Sequence, residues 1–246
     1  MSGKNTSIIG LLVMFGASAM GQVAGNAALN GRYYFRQVLL VADGSANVND
    51  TRTGFGTLTF DGNGNYTVAG QQLVGTSAPA ALAGSASYTV KPGGYVTLAN
   101  PLRGGSTVNA RLGVGALVGS STEAGATVFD LFLAIPAATQ APATVNGPYW
   151  ISSLELPNGG VANIRDTNFK LTANGSGSFA ENTVTGQARN LGNRLQTQTV
   201  APMTYSVAPD GTGTLNFPAG RSGTSKRPST TLIFLVTRLR STRLAT

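Results

Sequence analysis

The chain of 246 residues contains no cysteine and no histidine. Without cysteine there is no disulfide and no thiol nucleophile. Without histidine there is no Ser-His-Asp triad, and no zinc site can be built from Cys and His. Charge is scarce as well, at 11% of residues. Eleven basic and nine acidic residues up to Gly220 nearly cancel, and no acid follows Asp210. Arg221, Lys226, Arg227, Arg238, Arg240 and Arg243 therefore carry most of the net charge of +8. Long apolar runs are also lacking. The run Ile8 to Met14, interrupted by Gly10, falls short of the roughly 20 residues a membrane-spanning helix needs. With Lys4 before it and Ala17-Ser18-Ala19 after it, this run reads as a signal peptide over residues 1–21, and so predicts export. Export argues against nucleic acid as a partner.

What is present is glycine, 33 residues of it, and short apolar runs that bring the hydrophobic fraction to 41%. Small residues with Thr, Val and Tyr fit sheets joined by tight turns. The runs also recur. Asn30-Gly31-Arg32-Tyr33-Tyr34 returns as Asn146-Gly147-Pro148-Tyr149-Trp150, and Leu58-Thr59-Phe60-Asp61-Gly62-Asn63-Gly64 as Leu171-Thr172-Ala173-Asn174-Gly175-Ser176-Gly177. Tyr88-Thr89-Val90 returns as Tyr205-Ser206-Val207, and Leu131-Phe132-Leu133 as Ile233-Phe234-Leu235. Conserved order at a domain-sized spacing predicts a tandem duplication. The predicted layout is a leader over 22–28, a first unit over 29–136, an Ala/Thr/Pro linker over 137–144, a second unit over 145–238 and a basic tail over 239–246.

In the first unit, runs bounded by turn residues predict strands near 32–41, 54–61, 64–70, 84–91, 94–100, 109–118 and 127–135. Leu58 and Phe60 alternate with Thr57 and Thr59, so one face of that strand is apolar. Asp61-Gly62-Asn63-Gly64 and Lys91-Pro92-Gly93-Gly94 tolerate the backbone angles of tight hairpins. No helical periodicity is sustained. Residues 218–228 of the second unit are basic and Pro-flanked where the first unit has the 109–118 strand. The fold class is therefore all-β: two tandem antiparallel up-and-down barrel-like units, the second lacking about one strand.

The Asn-Gly-x-Tyr-aromatic opening of each unit resembles the Gly-x-Trp opening of lipocalin-like barrels, and the Gly-punctuated hairpins are similar to those of lipocalin and avidin relatives. The duplicated pattern also resembles exported proteins of environmental bacteria. The resemblance implies barrel architecture and an exported compartment, and it carries over no functional residue.

Candidate sites are few. Asp61-Gly62-Asn63-Gly64-Asn65 has oxygen ligands at alternate positions, like the start of a calcium loop. Tyr66 and Gln72 then stand where such a loop needs Gly and Glu, so a hairpin turn is the reading and no metal is expected. Gly113 to Gly119 lacks the Lys-Ser/Thr of a phosphate loop and reads as a strand bend or a close-packing site. The carboxylates outside turn contexts are Glu123, Asp130, Glu155, Asp166 and Glu181. Asp130 lies opposite Phe129, Leu131 and Leu133 in alternation, so it points either to solvent or into a lumen. Aromatics at a barrel mouth stack on sugars, close over apolar ligands or simply plug the end. The ligand-binding candidates are Trp150, Tyr34, Tyr149 and Asp130, with no catalytic residue and no cofactor. The expected function is non-catalytic binding of a small apolar or glycan ligand. The alternative is a structural or adhesive cell-surface spacer. The basic tail is a candidate contact for an anionic envelope polymer.

Overall fold

A computed structural model describes residues 25–45, 47–121, 127–137, 145–157, 161–207, 213–216 and 229–237. The predicted signal peptide, most of the predicted linker, the segment 218–228, Glu123 and the basic tail lie outside the described residues.

Alternating sequence becomes antiparallel sheet throughout. Eight strands close a barrel in simple chain order: β1 (Asn30–Ala42), β2 (Val48–Asp61), β3 (Asn65–Val74), β4 (Ala80–Lys91), β5 (Tyr95–Ala99), β6 (Thr107–Gly113), β7 (Ala116–Ser120) and β8 (Val128–Pro136). The expected 109–118 strand is in fact two. Gly115, at φ 77°, turns the chain between β6 and β7, and the extra strand completes the closure. The same segment shows close packing, because a Cβ on Gly119 would lie 2.6 Å from the Ala110 methyl.

An eight-stranded barrel leaves an interior just wide enough for side chains. Here Tyr33, Phe35, Phe60, Tyr66, Tyr88 and Phe132 occupy it, all buried. Phe60 is the hub, with its ring centre 5.3 Å from Tyr33, 5.7 Å from Tyr66 and 5.0 Å from Tyr88. Full burial of each such side chain is worth about 1.5–3 kcal/mol relative to exposure. Both ends are stoppered. At one end a 3-10 turn, Asn26–Ala28, brings in buried Leu29; the Tyr88 hydroxyl donates to Leu29 O at 2.7 Å and the Val90 amide to Asn26 Oδ1 at 2.8 Å. At the other end Leu102 folds over the strands onto Gly54, where a Cβ would clash with it at 2.4 Å.

Beyond the barrel, β9 (Asn146–Pro157), β10 (Arg165–Asn174), β11 (Asn182–Ala188), β12 (Leu195–Val200) and β15 (Ser229–Thr237) form a sheet in the order β12-β11-β10-β9-β15. A separate hairpin pairs β13 (Thr204–Val207) with β14 (Gly213–Asn216). A second core lies against this sheet, built from Ile151, Phe169, Leu171, Ala173, Phe179 and Met203.

The matched sequence segments adopt matched geometry. Asn30 pairs with Asp61, and Asn146 pairs with Asn174. Asp61 Oδ1 accepts the amides of Asn63 and Asn65 at 2.7 and 2.9 Å, while Asn174 Oδ1 accepts those of Ser176 and Ser178 at 2.8 and 3.1 Å. The Tyr88 amide bonds Gly64 O at 2.8 Å, as the Tyr205 amide bonds Gly177 O at 2.9 Å. The Tyr205 hydroxyl donates to Val145 O at 2.6 Å, much as that of Tyr88 does to Leu29 O. The segment between β14 and β15, which in the repeat takes the place of the β6–β7 hairpin, lies outside the described residues.

Candidate functional site

On the side of the C-terminal sheet that carries the second core, alternation lines up one residue in two from four neighbouring strands. Register places Ser153 and Glu155 of β9 opposite Thr167 and Arg165 of β10. Gly186 and Val184 of β11 lie opposite Gln196 and Gln198 of β12. Phe169, Val184, Val200 and Met203 supply an apolar floor. Above it stand hydroxyls and amides. The Ser153 and Thr167 oxygens share a hydrogen bond of 2.6 Å, and Gln196 and Gln198 are exposed.

Gly186 is part of this surface. A Cβ there would lie 2.1 Å from the Asp166 carbonyl oxygen, so β10 and β11 approach too closely for any side chain. The surface holds a cleft of about 570 Å³. Arg165 and Glu155 form an ion pair at its polar end. An apolar cavity of about 190 Å³ lies among Val145, Tyr149, Leu171, Phe179, Tyr205 and Leu215. Apolar floors with a few polar groups are the usual make-up of small-molecule sites, and the larger volume is in their range.

The four residues singled out from sequence do not converge. Tyr149 lines the small cavity. Trp150, its neighbour, points to the opposite face of the sheet and is exposed, in register with Lys170. Tyr34 is on the outside of the barrel, with the Arg32 guanidinium 5.4 Å from its ring centre. Asp130 is inside the barrel. Its carboxylate accepts from Gln37 Nε2 at 2.6 Å, from Asn100 Nδ2 at 3.2 Å, from Ser121 Oγ at 3.1 Å and from the Ser121 amide. That network ties β1, β8 and the loops after β5 and β7, so Asp130 sits in a buried plug.

Of the other flagged carboxylates, Glu181 is exposed. Glu155 is paired with Arg165, and Asp166 Oδ1 accepts the Gln187 amide at 3.2 Å. Both oxygens of Asp61 are used within its own turn, Oδ2 by Asn65 Nδ2 at 3.0 Å. The Asn65 side chain, followed by the Asn65 and Asn63 amides, holds the Asp61 carboxyl below its ordinary pKa. Among the described residues no group of three or more metal-ligating side chains comes together. Sequence reasoning missed Ser153, Thr167, Gln196 and Gln198, which carry no motif. Their only signal is alternation against Phe169 and Val184. No family model, no curated protein and no solved structure matches the chain.

Proposed function

We propose that this is an exported, non-catalytic, duplicated β-barrel protein whose second unit binds a small amphiphilic ligand, apolar or glycan, in the cleft above Phe169. The first barrel serves as its scaffold. One contrast carries this reading. The first interior is filled by aromatic rings and closed at both ends, whereas the corresponding face of the second sheet carries a cleft of about 570 Å³. The repeated Asn/Asp turn geometry and the matched tyrosine hydroxyl contacts support descent of both units from one barrel, similar in layout to lipocalins and avidins. Absence of cysteine and histidine supports a binding role over catalysis. The basic tail is a proposed contact for an anionic envelope polymer.

The test is native mass spectrometry of the chain purified from its own host, then titration with glycan and lipid mixtures. A reproducible adduct that disappears on denaturation is expected. It should be lost in Gln198→Arg, which fills the cleft from an exposed position, and retained in Trp150→Ala on the opposite face. A bare mass under all conditions would remove the small-ligand reading. The filled first barrel would then favour the second reading, a cell-surface spacer or adhesin.

A further inference from the structure

The outer face of the first barrel is not uniform. Around most of its circumference the outward residues are small or hydroxylated, among them Thr59, Thr67, Ser85, Ser87 and Thr89, all exposed. On β8 the pattern inverts. Phe129, Leu131 and Ile135 point outward and are 61%, 56% and 46% exposed, and Val118 of β7 beside them is 54% exposed. Interstrand register extends the stripe, pairing Leu133 with Val118, Phe129 with Leu40 and Ile135 with Tyr34. Contiguous exposed apolar surface of this kind marks an interaction site.

Guanidinium groups are interleaved with it. One row across the barrel runs Tyr95, Arg111, Val118, Leu133, Arg36, Phe55. Arg111 lies 5.0 Å from the Tyr95 ring centre, Arg36 5.6 Å from that of Phe55, and Arg32 covers Tyr34. We propose that this face docks on an anionic lipid surface, with Phe129, Leu131, Ile135 and Val118 entering the interfacial layer and the exposed Arg32 and Arg111 meeting the headgroup phosphates.

Geometry favours lipid over a second copy of the chain. The seven residues of strand from Phe129 to Ile135 span about 20 Å, and three strands are roughly 14 Å wide. Such a patch covers about 300 Å², well short of the roughly 800 Å² per partner of a stable protein interface. Two convex barrels would touch along even less, whereas a fluid lipid surface conforms to a convex one. The hydroxylated remainder of the circumference excludes a spanning barrel, which needs an apolar band all the way round. Apolar insertion combined with cationic attraction is how interfacial segments bind anionic membranes.

The test is co-sedimentation of the full chain with phosphatidylcholine vesicles and with equimolar phosphatidylcholine/phosphatidylglycerol vesicles, at low and high salt. Binding to the anionic vesicles, weakened by salt, is expected. Phe129→Ser with Leu131→Ser should reduce it about tenfold or more, and Arg111→Glu should reduce it severalfold. These positions are exposed, so circular dichroism should show the fold retained; Leu131→Asn alone is the reserve variant. Replacing Arg238, Arg240 and Arg243 by Ser tests the tail, and should leave most of the binding in place. No binding to anionic vesicles, or wild-type binding by the stripe variant, would overturn the proposal. So would loss of binding in the tail variant alone, or a dimer in solution that the stripe variant dissociates.

Discussion

Gln37 Nε2 donates to Asp130 Oδ2 at 2.6 Å between two buried side chains from neighbouring strands of the first barrel. Asn100 completes a triangle, accepting from Gln37 through Oδ1 at 3.2 Å and donating to Asp130 through Nδ2 at 3.2 Å. Asn100 Oδ1 also holds the Leu102 amide at 2.9 Å, which seats the residue that closes this end. A buried carboxylate surrounded by donors is stable only while all of them reach it.

Asp130→Leu removes the common acceptor and strands the donors of Gln37, Asn100 and Ser121. A loss of about 2–5 kcal/mol in unfolding free energy is expected from urea titration. Asp130→Asn keeps the shape and should cost less. A loss below about 1 kcal/mol for Asp130→Leu would mean that the network does not hold the barrel end.

Asp61→Asn installs in the first hairpin what the second already has at Asn174, and the fold should be unchanged. The difference should appear in acid. The Asp61 carboxyl titrates below its ordinary value of 3.8 in the folded chain, because Asn65 and the turn amides favour its charged form. Its contribution to stability is therefore present above that value and is lost as pH falls through the folded pKa. Melting temperatures of wild type and Asp61→Asn should converge over that interval; a gap constant with pH would contradict the assignment.

Tyr66 behaves oppositely at high pH. Burial pushes its phenol up to about 12, and its hydroxyl donates to Ala99 O at 2.5 Å. The neutral form is favoured in the fold, so the contribution is complete below pH 10 and is lost as pH rises from 10 toward 12. A tyrosinate absorbance titration should show one late, cooperative component that Tyr66→Phe abolishes. At neutral pH Tyr66→Phe should cost about 1 kcal/mol for the lost hydrogen bond.

Gly56 and Gly70 face each other across β2 and β3 at a bend, with Gly56 at φ 151°. A Cβ on Gly70 would sit 2.1 Å from Phe55 O, and one on Gly56 would sit 2.2 Å from Ala69 O. Both neighbours are backbone and cannot yield cheaply. Gly70→Ala should lower stability by at least about 1–3 kcal/mol by chemical denaturation, whereas Gly44→Ala, with nothing within 4 Å, should not. Equal effects at the two sites would show that the close approach is relieved without strain.

Local chemistry was legible in the chain wherever it is local in origin. The turns at Asp61-Gly62-Asn63-Gly64 and Lys91-Pro92-Gly93-Gly94, and the alternation of Leu58 and Phe60, are set by residues within a few positions of each other, and the structure carries them as expected. The β6–β7 turn was missed because the alternation of 109–118 runs almost unbroken through it, and only Gly115 marks the reversal. The site was less legible. Tyr149 and Trp150 are adjacent and chemically alike, yet lie on opposite faces, and nothing local says which face meets a cleft.

Period-two alternation by itself determined that the chain forms antiparallel sheet and which residues share a face. It left open which face is inside, because a strand with apolar residues on both sides satisfies the pattern either way. Closure decided that. Once eight strands curl into a barrel, the interior holds one set of side chains, so Asp130 went in with Phe132 and Ala134 while Phe129, Leu131 and Ile135 went out. The cleft likewise exists only because four strands of the second sheet bring Ser153, Thr167, Gln196 and Gln198 together from positions up to 45 residues apart.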